Sequence, residues 1–158
     1  MLPLFLLLTM LTQPPGKVVI VEHGIYAPER EVGVRDVEKT SIGFVRTIDG
    51  QARPELLEET TRIPAKVGTR FGIHFLFDDC AGPEKYPVTV RVHHPPMTNP
   101  KTGRTTRVEE WEMTGYPIIA RFTGYLFEEE WEAVPGRWRI DLVVDGKVVA
   151  RQKFRVVH

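Results

Sequence analysis

Apolar and polar residues alternate one for one along much of this chain. The clearest run spans residues 70–77, where Phe71, Ile73, Phe75 and Phe77 take one phase and Arg70, His74 and Leu76 the other. Val88, Val90 and Val92 repeat the period against Thr89, Arg91 and His93. A period of two sends successive side chains to opposite faces of a strand, so each run predicts one buried and one solvated face. Near the C-terminus Trp138, Ile140, Leu142 and Val144 share a phase, and Val148, Ala150, Phe154 and Val156 are expected to face inward on the next strand. Asp145-Gly146 lies between them, and both residues tolerate the positive φ angles of a type I′ turn. The pattern therefore predicts a tight closing hairpin of strands 138–144 and 147–157.

Other segments are read in the same way. Residues 17–26 are β-branched and bounded by Pro15-Gly16 and Ala27-Pro28, which predicts a strand. Residues 28–41 read as a polar loop with at most a short edge strand, and 42–48 as a strand ended by Asp49-Gly50. Residues 53–59 hold the one candidate helical turn, although Leu56-Leu57 equally opens a strand. Residues 58–63 look extended, because Thr60, Thr61 and Ile63 are β-branched and Pro64 disfavours a helix before it. Pro95-Pro96 is expected to end the strand that contains Val92. Residues 104–114 are charged around Trp111 and suggest an exposed hairpin arm. Residues 117–127 alternate, with Ile118, Ala120, Phe122 and Leu126 expected to face in. About eight short strands separated by turn signals, with essentially no helix, predict an all-β antiparallel sandwich forming one domain over residues 17–158.

Residues 2–11 are apolar apart from Pro3 and Thr9, and Gln13-Pro14-Pro15-Gly16 breaks the run. The stretch falls short of the ~20 residues that a membrane-spanning helix needs, and it has the size of the apolar region of a secretory signal. It lacks a preceding Lys or Arg and a clean small-x-small cleavage site. Residues 1–16 are thus read as a signal-like leader, and the domain as periplasmic or secreted.

Charge excludes one class of partner. Lys plus Arg number 21 and Asp plus Glu number 21, so the formal net charge is zero. Nucleic acid demands an excess of cations, and none is present. Cys80 is the only cysteine, so no intrachain disulfide forms; such a thiol can pair with another chain or be buried as a small apolar residue, and a buried or inert thiol is the expectation for it. No phosphate-binding glycine loop occurs, and no motif calls for a cofactor.

The segment 59–72, Glu-Thr-Thr-Arg-Ile-Pro-Ala-Lys-Val-Gly-Thr-Arg-Phe-Gly, resembles a family of bacterial proteins described only as a domain of unknown function. Glu22-His23-Gly24-Ile25-Tyr26 and Trp131-Glu132-Ala133-Val134-Pro135-Gly136-Arg137-Trp138 resemble it too. The resemblance implies a small, exported, β-rich protein and assigns no activity. Val134-Pro135-Gly136-Arg137-Trp138, followed by a glycine-turned hairpin, is also similar to the closing strands of immunoglobulin-like modules. That similarity implies fold alone.

Candidate chemistry is sparse. His74 and His93 share outward phases, and on neighbouring strands they would approach each other, with Asp78 and Asp79 near enough to complete a surface metal site. Their spacing matches no established ligand pattern, so solvent-facing histidines are the reading preferred here. Ser41 lacks a nucleophile elbow, and Asp78 and Asp79 would raise rather than lower a thiol pKa at Cys80. The glutamates around Trp111 and Trp131 could flank a scissile sugar bond, but such runs more often guard a sheet edge. A hydrolytic or metal-dependent enzyme therefore ranks last. Trp111, Tyr116 and Tyr125 are the candidate aromatic platform for a carbohydrate or small ligand, whereas Trp131 and Trp138 are expected to pack the corner and the core. Arg137, Arg139, Arg151, Lys153 and Arg155 fall on the outward face of the closing hairpin, with Asp141 and Asp145 among them. Arg139, Arg151 and Lys153 accordingly mark a basic face for an acidic protein, peptide or envelope component, and a non-catalytic binding module is the leading expectation.

Overall fold

The computed structural model describes residues 16–28, 35–39, 44–47 and 53–158. The signal-like leader lies outside these residues, as does most of the stretch between Pro28 and Gly50. Strands run in chain order β1 (Lys17–Tyr26), β2 (Arg35–Lys39), β3 (Phe44–Thr47), β4 (Leu56–Glu59), β5 (Arg62–Pro64) and β6 (Arg70–Asp78). They continue with β7 (Tyr86–Thr98), β8 (Thr105–Gly115), β9 (Arg121–Leu126), β10 (Gly136–Val144) and β11 (Lys147–Val157). A 3-10 turn at Glu130–Glu132 precedes β10.

A four-stranded sheet, β4-β1-β6-β9, packs on a five-stranded sheet, β5-β11-β10-β7-β8, while β2 and β3 pair with each other. All described pairings between strands are antiparallel except β5 with β11, which is parallel. The core between the sheets takes the phases expected for β6, β7 and β10. Phe71, Ile73, Phe75 and Phe77 meet Val88, Val90, Val92, Trp138, Ile140 and Leu142, all buried. Trp138 is the hub, with its ring centroid 5.7 Å from Phe71 and 5.4 Å from Phe127. Its indole N–H donates to the Val134 carbonyl at 2.9 Å, satisfying the one polar atom of a buried ring. Trp131 packs against the same core at the corner.

The closing hairpin forms as the sequence predicts, with φ of 50° at Asp145 and 75° at Gly146. A bulge at the pairing of Leu142 and Val143 changes one detail. The extra residue inverts the phase of the last strand's start, so Val148 faces out and is 46% exposed.

Residues 56–59 form the strand that Leu56-Leu57 equally allowed, in place of the candidate helical turn. Two other expectations are corrected. Pro95 and Pro96 do not end β7; they sit where its register with β8 shifts, a bulge that accommodates residues lacking an N–H. The inward phase of β9 is the opposite of the expected one. Thr123 and Phe127 are buried on the core side, Tyr125 packs against the core, and Ile118 is 66% exposed.

Candidate functional site

The outer face of the five-stranded sheet is built by cross-strand register. Arg62 on β5, Arg155 on β11 and Arg137 on β10 form one row across three strands. Lys153, Arg139 and His93 form the next, and Arg151, Asp141, Arg91 and Glu110 the one after. Residues directly opposite in a sheet stand about 5 Å apart, so these charges act on one another. Asp141 is the anchor of the face. Its side chain is only 3% exposed, and it accepts from Arg151 at 2.8 and 3.3 Å. Arg139 lies 3.0 Å away and His93 3.3 Å. Burial pushes the Asp141 carboxyl up, but the hydrogen bonds and charges of Arg151 and Arg139 outweigh it and hold the group below the usual carboxylate range. Burial and the Arg139 charge hold His93 below its ordinary value. Arg91 pairs with Glu110 at 2.6 Å.

Arg139 and Arg151, expected as free binding residues, are thus committed to Asp141. The cations left over are Arg62, Arg137, Lys153 and Arg155, all exposed and with no carboxylate partner among the described residues. Sequence phase alone pointed to Arg137, Lys153 and Arg155. Arg62 was missed because its row depends on the parallel β5–β11 pairing, which no local pattern announces.

The two histidines do not meet. His93 lies on the five-stranded sheet and His74 on the four-stranded one, so the proposed His/Asp metal site is not assembled. Among the described residues, no three His, Cys, Asp or Glu side chains converge on a metal-sized position. His74 is also not solvent-facing, since it is fully buried. Glu22 lies opposite it, with Oε1 2.6 Å from Nδ1, and the Tyr26 hydroxyl is 3.3 Å from the same nitrogen. Arg53 holds Glu22 from the other side at 3.2 Å. Tyr26 and Phe122 rings pack beside the imidazole, and the Arg70 guanidinium lies 4.6 Å from the Phe122 centroid. Glycines at 24, 72 and 124 align across β1, β6 and β9 beneath these rings. A Cβ at Gly72 or Gly124 would strike the neighbouring backbone. Burial lowers the His74 pKa, Glu22 opposes that shift, and Arg53 reinforces it. The Glu22–Tyr26 block singled out in the sequence therefore supplies both partners of a buried histidine.

The aromatic platform is not assembled either. Trp111 is 6% exposed, on the inner phase of β8. Tyr125 faces the core of the opposite sheet and donates to Glu132 at 3.2 Å, and burial raises its phenol well above the ordinary value. Tyr116 is half-buried in the β8–β9 connection. An open depression is lined by Val67, Glu128, Glu129, Glu130 and Trp131. Cys80 is exposed, contrary to its expected burial, on the turn after β6. Beside it Asp79 accepts from the Tyr86 hydroxyl at 2.7 Å, and burial together with that bond pushes the Tyr86 phenol up to about 12.

A crystal structure of an immunoglobulin-like protein from Pseudomonas aeruginosa is similar to this chain with a TM-score of 0.59 at 21% sequence identity. The similarity covers 92% of this chain and 100% of that one, and it establishes the immunoglobulin-like sandwich. No curated protein matches the sequence. The model of the family described as Domain of unknown function (DUF3859) matches residues 17–156, nearly the whole span from β1 to β11, and the chain belongs to that family.

Proposed function

We propose that this chain is an exported, non-catalytic immunoglobulin-like module that docks an acidic protein or envelope component on the outer face of its five-stranded sheet. One observation carries the reading. Arg62, Arg155 and Arg137 stand in a cross-strand row with Lys153 one pair further on, exposed and without carboxylate partners among the described residues. Like charges in register destabilise a sheet, so a row of them is a cost that a docking partner offsets. The same face spends Asp141 on Arg139 and Arg151, which fixes the middle of the surface and leaves its outer cations available. Export is supported by the apolar residues 2–11 and by a family match that begins at Lys17.

Immobilised poly-glutamate is a suitable probe. The wild-type chain is expected to bind it with an affinity that falls as salt rises. A variant carrying Arg62→Glu, Arg137→Glu, Lys153→Glu and Arg155→Glu, with Arg139 and Arg151 untouched, is expected to lose that binding while keeping its melting behaviour. Equal binding by the folded variant would retire the reading.

A further inference from the structure

Register gives the basic face a direction as well as a sign. Arg62, Arg155 and Arg137 oppose one another directly across β5, β11 and β10. They therefore form a line at right angles to the strands, with a pitch set by the interstrand spacing of about 4.8 Å. The line is firmly seated. Ile63, Phe154, Val156 and Trp138 alternate with its members and are buried in the core. β5 is pinned at both ends, since the Arg155 N–H donates to the Thr61 carbonyl at 2.7 Å and the Ala65 N–H to the Val157 carbonyl at 2.7 Å. Lys153 stands one pair away along β11. Asp141 stands two rows away, where Arg139 and Arg151 occupy it.

The surroundings of the line narrow its partner. Of the large apolar side chains exposed among the described residues, only Val108 and Val148 lie on the strands of this sheet, on the far strand β8 and beside the hairpin turn. A folded protein partner draws most of its affinity from apolar and aromatic anchors at the centre of a contact, and the line offers them no counterpart. An acidic peptide laid out as a strand repeats its same-face carboxylates every ~6.8 Å, out of step with the arginines. A chain of pyranose rings with one carboxylate on each is hydrophilic throughout and repeats at close to one interstrand spacing. All three members of the line are arginine, whose planar fork takes a carboxylate through two parallel hydrogen bonds. We propose, resting on the docking reading of this face, that Arg62, Arg155 and Arg137 form a binding track for a linear polyuronate, one carboxylate to each guanidinium. The polymer crosses β5, β11 and β10 at right angles to the strands, and Lys153 adds charge beside it.

The test titrates polygalacturonate and poly-glutamate separately into the full chain by calorimetry at low salt, with dextran as the uncharged control. Polygalacturonate is expected to bind more tightly per carboxylate, and its three-ring oligomer to bind more tightly than the single sugar acid. Two substitutions separate register from net charge. Arg155→Gln removes the middle of the line, and Lys153→Gln removes a cation beside it with the same change in charge; both positions are exposed. Arg155→Gln is expected to weaken polygalacturonate binding about fivefold and Lys153→Gln about twofold or less, whereas poly-glutamate should lose alike with both. Should Arg155→Gln melt below wild type, Arg62→Gln at the end of the line takes its place. Binding of poly-glutamate without polygalacturonate, or equal losses of polygalacturonate from the two substitutions, would overturn the track and leave the docking reading standing. A chain that binds neither polymer would overturn both.

Discussion

Replacing Asp141 with Asn keeps the shape of the side chain and removes the carboxylate at the centre of the basic face. The expected loss follows from how the group is held. Its side chain is 3% exposed, but Arg139 and Arg151, its cationic partners, are 34% and 45% exposed. Removing one partner of a fully buried pair costs about 3–5 kcal/mol, and an exposed pair contributes about 0–1 kcal/mol. Here the acid is desolvated while water can rehydrate the abandoned cations, so Asp141→Asn should cost about 2 kcal/mol, an intermediate value. For a domain of this length that lowers the melting temperature by roughly 4–8 °C. The sign with pH is fixed by the direction of the shift. The folded carboxyl titrates below its unfolded value, so its contribution is fully present above about pH 3.9 and is lost as pH falls through the folded pKa. Urea denaturation of both proteins across pH 2–7 reads this directly: a gap at pH 7 that closes in acid. A difference below about 0.5 kcal/mol at pH 7, or one unchanged at the acid end, would refute the reasoning, because Asn would then replace the carboxylate by hydrogen bonding alone.

Three further outcomes follow from other sites. His74 has a folded pKa below its unfolded value, so the unfolded chain takes up a proton first and stability should fall as pH drops below about 6.5; His74→Phe should flatten that limb of the denaturation profile. Gly146 has a φ of 75°, and Gly146→Val should cost about 1–2 kcal/mol in chemical denaturation, a loss too local to alter the fold. Cys80 is exposed, so a colorimetric thiol reagent should titrate one thiol per folded chain without denaturant, and slow or absent reaction would contradict its placement.

The hairpin was legible because its information is local: a two-residue turn of the right chemistry and two flanking phases. The inward faces of β6, β7 and β10 were legible for the same reason. What failed depended on pairing between distant segments. Alternation in β6 marked His74 as polar-side, and nothing in the sequence says that Glu22, Tyr26 and Phe122 are brought over it from other strands. The same covering inverted the reading of β9, where Phe122 packs on the outer aromatic cluster while Tyr125 takes the core side. Trp111 looked exposed because its neighbours are glutamates, yet β8 alternates, with Glu110 and Glu112 outward and Trp111 inward. On the basic face, sequence phase placed the cations outward but could not separate those neutralised by Asp141 from those with no carboxylate partner among the described residues.

The most direct test of the proposed docking surface is a nuclear magnetic resonance titration of the labelled chain with poly-glutamate. Amide shifts should concentrate on Arg62, Arg137, Lys153, Arg155 and their cross-strand neighbours on β5, β10 and β11, and should fade as salt is added. Shifts absent from that face, or gathered instead on the four-stranded sheet, would contradict the account.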